Sequence, residues 1–146
     1  MTFKQAVITC FQKYLTIEGR APRSEYWYFF LFYILVNFAL GPIDTTLFGG
    51  GYAAPLATIF MLIVFLPFTM VAIRRLHDRD MSGWWLLLML VPVIGSLALL
   101  VLYVLPGTPG PNRFGPDPLG NNTGWPDDEG DDATYTQSSI PRVNRE

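Results

Sequence analysis

The sequence predicts an all-α membrane protein: an N-terminal amphipathic helix, three transmembrane helices and a disordered acidic C-terminal tail. Three observations lead there. Charged residues make up only 15% of the 146 residues and hydrophobic ones 51%, whereas a soluble domain carries about 25% charge. Long apolar runs separate short charged stretches, and residues 26–73 hold a single charge, Asp44. After Leu105 the composition turns to Pro and Gly, then to clustered acids at Asp127, Asp128, Glu129, Asp131 and Asp132.

Taken in order, Phe3, Val7, Cys10, Phe11 and Tyr14 fall at helical spacing among Lys4, Gln5, Gln12 and Lys13. That pattern predicts a helix on the membrane surface or against the ends of the spans. Gly19 ends it, and Pro22 suits the first turn of the next helix. A hydrocarbon core about 30 Å thick takes about 20 helical residues, so 26–73 is long enough for two spans. The breaks Gly41-Pro42-Ile43-Asp44 and Gly49-Gly50-Gly51 put them at about 26–43 and 54–73. Tyr26, Trp27 and Tyr28 form an interfacial belt. Pro67 is tolerated inside the second span because neighbouring helices satisfy the freed carbonyl.

The island 74–85 follows: Arg74-Arg75-Leu76-His77-Asp78-Arg79-Asp80-Met81-Ser82-Gly83-Trp84-Trp85. Ser82 is placed to cap the next helix and Trp84 and Trp85 to anchor it. A third span over 84–105 rises roughly 33 Å, enough for one crossing. Pro92 and Gly95 leave a re-entrant hairpin of two half-helices as the alternative. Residues 106–118 are too rich in Pro and Gly for regular structure. Residues 119–146 combine low hydrophobicity with clustered acids, which predicts disorder.

Basic residues lie at Lys4, Lys13, Arg20 and Arg23, and again at Arg74, Arg75 and Arg79, with none in 41–53. The positive-inside rule therefore puts the N-terminus and the 74–83 loop in the cytoplasm. Three crossings then put the C-terminus outside. Residues 1–24 lack a signal-peptide core. The one cysteine, Cys10, excludes an internal disulfide. The net charge of −2 and the lack of a basic stripe with interleaved aromatics argue against nucleic acid.

Three motifs in order resemble the DUF805 family of small bacterial inner-membrane proteins. They are Gly19-Arg20-Ala21-Pro22-Arg23-Ser24-Glu25-Tyr26-Trp27; Arg74-Arg75-Leu76-His77-Asp78 with Ser82-Gly83-Trp84-Trp85; and Gly107-Thr108-Pro109-Gly110 running into Asn112-Arg113-Phe114-Gly115-Pro116. Their spacing matches over about 3–118, so the domains read as a DUF805-like membrane domain, 1–118, and a tail, 119–146. Pro22 and Met81 depart from the residues usual in the family. The resemblance implies a bacterial inner-membrane protein and no established activity.

The residues singled out for ligand or partner binding are Arg20, Arg23, Glu25, Arg74, Arg75, His77, Asp78, Ser82, Trp84 and Trp85. Their plainer role is a pairing network, for example Arg23 with Asp78 or Glu25 with Arg75. Their functional role is to hold lipid phosphate, which the Arg fork binds through paired oxygens. Asn112, Arg113 and Gly115 form an outer-side motif of unknown role if 84–105 crosses once. No metal or cofactor is expected: His77, Asp78 and Asp80 sit among arginines that repel a cation. No enzyme is expected either, because no nucleophile partners His77. The expected partners are the bilayer, its anionic headgroups, and a second copy or another membrane protein. The alternative function is a small oligomeric transporter or channel component, which the few polar residues of the spans (Asn37, Thr58, Thr69, Ser96) do not favour.

Overall fold

A computed structural model describes residues 1–49 and 54–120. The described residues form helices α1 (Phe3–Gln12), α2 (Arg23–Phe48), α3 (Pro55–His77), a 3-10 helix (Gly83–Leu90) and α4 (Ile94–Val104). Among them α2 and α3 are long and apolar enough to cross a membrane.

Helix α1 starts in a capping box, with Thr2 Oγ1 accepting from Gln5 N and Gln5 Oε1 accepting from Thr2 N at 2.9 Å. Its Ala6 and Cys10, one turn apart, are fully buried. Phe3 packs edge-on against Tyr28, and Phe11 against Phe29 and Phe32. The helix is thus docked on α2, the second of the two settings that its periodicity allowed.

Helix α2 runs past the break expected at 41–44. Pro42 lies inside it, and Gly49, at φ 78°, ends it in the left-handed conformation. The extra turn has a use. Asp44 is buried rather than in a loop, and its two carboxylate oxygens accept from Leu56 N and Ala57 N at 3.0 and 2.9 Å. One spanning helix thereby caps the N-terminus of the other, where the helix dipole favours an anion.

Helix α3 also outruns its expected end at 73, continuing through Arg74 and Arg75 to His77. These charges stay helical because they find partners, described below. On the outer faces of α2 and α3, Phe38, Leu62 and Phe65 are 80%, 66% and 60% exposed. Charges inside and large apolar side chains outside suit hydrocarbon as solvent and would aggregate in water.

The largest correction concerns 84–105, which is not one crossing helix. Ser82 caps the 3-10 helix by accepting from Trp84 N. The chain then turns at Val91, Pro92 and Val93, the last at φ 64°. Proline lacks the N–H that a continuous helix needs and disfavours helical backbone at the residue before it. Gly95 lets the two halves touch: a Cβ there would lie 1.7 Å from Leu88 O. Each half rises about 16 Å, roughly half of the 30 Å core. Both ends of the hairpin meet the end of α3. Gly83 abuts Ile73 and His77, and Leu105 O accepts from Arg75. The segment that follows therefore lies on the same face as Arg20 and His77, not on the opposite one. The expected tail was 119–146, and its residues 121–146 lie outside the described residues.

Candidate functional site

The three charged motifs converge where α2 begins and α3 and α4 end. Asp78 is the centre. Its Oδ1 accepts from Arg20 Nε at 2.9 Å, and its Oδ2 from Arg75 Nη1. Its backbone oxygen accepts from Thr108 N and Thr108 Oγ1 at 2.8 and 3.1 Å. Arg20 also donates to Thr108 O and Gly110 O, both at 2.6 Å. One arginine from the first motif thus holds the third motif against an aspartate from the second. Gly107 is required here, since a Cβ would lie 2.1 Å from Asp78 Oδ2.

The exposed carbonyls at the end of α4 are taken up by arginines. Arg75 donates to Tyr103 O at 3.3 Å and to Leu105 O, while Arg23 donates to Val104 O at 3.2 Å. Helix ends leave these groups unsatisfied, and cations suit their negative dipole end. Arg74 turns the other way, toward α1 and α2. Its Nη1 is 2.6 Å from Glu25 Oε1, close but poorly directed, so its guanidinium nitrogens lack a well-formed hydrogen bond among the described residues. Its backbone oxygen accepts from Ala21 N at 3.0 Å. Arg74 and Arg75 are fully buried, and Glu25, Asp78 and Arg20 are buried too.

The sample pairs read from the sequence are therefore corrected. Arg20 and Arg75 share Asp78, Arg74 takes Glu25, and Arg23 caps α4. Successive residues of a helix point about 100° apart, so neighbouring arginines serve different neighbours.

His77 stacks flat on Phe114, with ring centres 3.8 Å apart, and its Nδ1 has no partner among the described residues. Its backbone oxygen accepts from Asn112 Nδ2 at 2.9 Å. Asn112 and Gly115 exchange backbone hydrogen bonds at 3.0 Å each, a tight turn that Gly115 permits at φ 136°. That turn presents Phe114 to His77. Arg113 forms an exposed pair with Asp80 at 3.2 Å and covers the Phe114 ring. Asn112, Arg113 and Gly115 thus join the site instead of lying outside. Trp84 and Trp85 do not; both are exposed beside it.

Sequence reasoning quoted Gly107, Thr108, Gly110 and Phe114 in the third motif without assigning them to the site, and it missed Asp117 and Cys10 there. Asp117 accepts from Gly110 N and Leu119 N and shapes the loop; its place in a Pro-Gly-rich run was the available signal. Cys10 lies 3.8 Å from Glu25 Oε1. Burial first, and then the Glu25 charge, push its thiol up to about 12. At neutral pH it stays protonated, and only thiolate reacts. Maleimide is expected to leave Cys10 unlabelled in native membranes and to label it fully after denaturation. Rapid labelling of the native protein would contradict the burial of α1 on α2.

Among the described residues no three His, Cys, Asp or Glu side chains converge to hold a metal ion. Three polar groups of the spans turn onto their own helices: Asn37 donates to Tyr33 O, Thr58 to Ala54 O and Thr69 to Phe65 O. The face is thus a sealed inner network with a cationic outer edge.

Comparison with known proteins gives the family. Residues 14–116 match the family described as protein of unknown function (DUF805). The chain is 49% identical over 109 residues to the inner membrane protein YhaH of Escherichia coli K12, covering 73% of this chain and 90% of the relative. It is 43% identical over 120 residues to the inner membrane protein YhaI of the same organism, covering 81% and 99%. No solved structure matches the chain. With two apolar helices of spanning length and this similarity over its motif-bearing region, the chain is a membrane protein that belongs to the DUF805 family.

Proposed function

We propose that this is a non-enzymatic inner-membrane protein whose charged face, turned to the cytoplasm, gathers anionic phospholipid headgroups. One observation carries the reading: the arginines of the face fall into two tiers. Arg20, Arg74 and Arg75 are buried and consumed by Glu25, Asp78 and backbone carbonyls. Arg23, Arg79 and Arg113 stand at the edge. The hydrogen bonds of Arg23 and Arg79 go to the carbonyls of Val104 and Pro106, and Arg113 pairs with an exposed acid. Carbonyls leave a guanidinium its full charge, so the outer tier remains attractive to phosphate. Exposed Trp84 and Trp85 beside it suit the headgroup level. The positive-inside rule supports the cytoplasmic orientation. Against a pore, Asn37, Thr58 and Thr69 bond to their own helices, and Asp44 is spent on the start of α3.

Extraction of the protein with its surrounding lipid in polymer nanodiscs tests this. Phosphatidylglycerol is expected to be enriched about fivefold over the bulk membrane, the order that one arginine near a surface supplies at about 1 kcal/mol. The double variant Arg79→Gln/Arg113→Gln is expected to lose most of the enrichment. A lipid shell with bulk composition in the wild type would refute the proposal.

A further inference from the structure

One polar group beside the buried network is left over. Tyr103, next to the last residue of α4, is 6% exposed, and its hydroxyl has no hydrogen-bond partner among the described residues. Its ring centre is 4.4 Å from that of Tyr26. Both line a cavity of about 290 Å³ between α2, α3 and the hairpin, walled by Phe30, Tyr33 and Phe68. A buried phenol without a partner costs free energy, and its usual resolution is an acceptor.

On the same two helices, Arg23, Ser24, Trp27 and Val104 line a recess at the charged face. Trp27 follows Tyr26 on α2, and Val104 follows Tyr103 on α4, so consecutive residues of the same two helices line the recess and the cavity, a shared α2–α4 seam. From the face inward the seam offers an exposed guanidinium, then an unpaired hydroxyl donor, then an aromatic apolar cavity. The cavity lies at the lower bound of sites that take a ligand whole, about 300 Å³. It accepts part of a molecule whose remainder lies outside.

We infer that this seam binds one molecule of an anionic glycerophospholipid at a defined position. The phosphate meets Arg23, with the Ser24 hydroxyl beside it. An ester carbonyl, a few atoms deeper in the lipid, accepts from Tyr103 Oη. One acyl chain enters the cavity between the spans and the hairpin, and the other stays in the bilayer. The order of charge, acceptor and chain in such a lipid matches the order of groups along the seam. The inference rests on the reading that the face receives anionic lipid, and adds to it a single specific site.

The test uses the purified full-length chain, stripped of lipid in detergent, titrated with phosphatidylglycerol and separately with diacylglycerol, and read by native mass spectrometry. One phosphatidylglycerol is expected to bind well ahead of all further ones. Arg23→Gln is expected to weaken it about tenfold, as loss of a charged hydrogen bond does, and Tyr103→Phe about fivefold. Diacylglycerol, lacking the phosphate, is expected to bind weakly and to be indifferent to Arg23→Gln. Arg79→Gln/Arg113→Gln is expected to keep the tight lipid while losing the enriched shell. A statistical ladder of adducts without a tight first lipid in the wild type would overturn the specific site, even with shell enrichment intact. A tight first lipid unaffected by both single variants would overturn it equally. A tight lipid without shell enrichment would overturn only the broader reading. Should Arg23→Gln fail to fold, Tyr103→Phe, which removes one oxygen, decides alone.

Discussion

Asp78→Ala is expected to destabilise the protein by about 3–5 kcal/mol, the range seen when one partner of a buried ion pair is removed. Its carboxylate is the shared acceptor of Arg20 and Arg75, both buried. Without it two guanidinium groups stay in an interior that water does not reach. The third motif also loses its anchor, because Arg20 holds Thr108 and Gly110 only while Asp78 holds Arg20 in place. Two residues on, Asp80→Ala serves as the control. Its pair with Arg113 is about half exposed on both sides, and such pairs are worth at most about 1 kcal/mol. Denaturant titration of both variants in mixed micelles checks this. Equal, small losses would mean that the network is solvated and the site is built differently.

Gly95→Ala should destabilise by about 1–3 kcal/mol through overpacking. Its sign is the informative part. In an ordinary helix alanine is favoured over glycine by about 1 kcal/mol, so a continuous third span would be stabilised by the same change. In the hairpin the new Cβ would lie 1.7 Å from the Leu88 carbonyl oxygen, a backbone atom that cannot swing aside. The thermal unfolding temperature should fall, and the two half-helices should splay. Reporters fused after residues 80 and 118 should map to the same side of the membrane in the wild type. An increase in stability on Gly95→Ala, or reporters on opposite sides, would restore the single crossing.

The elements with the strongest local signals were legible in the chain. Long apolar runs marked α2 and α3, helical spacing marked α1, and Ser82 announced the cap of the next helix. The three dense polar motifs were legible as well, but not that the third shares a face with the first two, nor that Trp84 and Trp85 stay outside the network. Element ends were not. Helix α2 outruns Pro42 because Asp44 finds two amides of α3, and α3 outruns Ile73 because Arg74 and Arg75 find Glu25, Asp78 and the end of α4. Those partners are distant in sequence, so no window around the helix end contains the reason for it.

The hairpin shows the same limit. Pro92 and Gly95 permit a break in 84–105 but do not require one, and a proline inside a membrane helix is often only a kink, as Pro67 and Pro42 are accommodated here. What tips the choice is far away: three carbonyls at the end of α4 are met by Arg23 and Arg75 only if the chain returns to the face it left.

By itself the sequence determined the solvent this protein lives in, its helical class and the three charged motifs. Those follow from composition and local periodicity, which act over a few residues. The tertiary structure alone decided which charges are spent inside the fold, which remain at the edge, and that Asn112 and Arg113 share a face with His77 and Arg20. In hydrocarbon a buried charge is tolerated only with its partner in place. Pairing between distant segments therefore settles the topology, and with it the site.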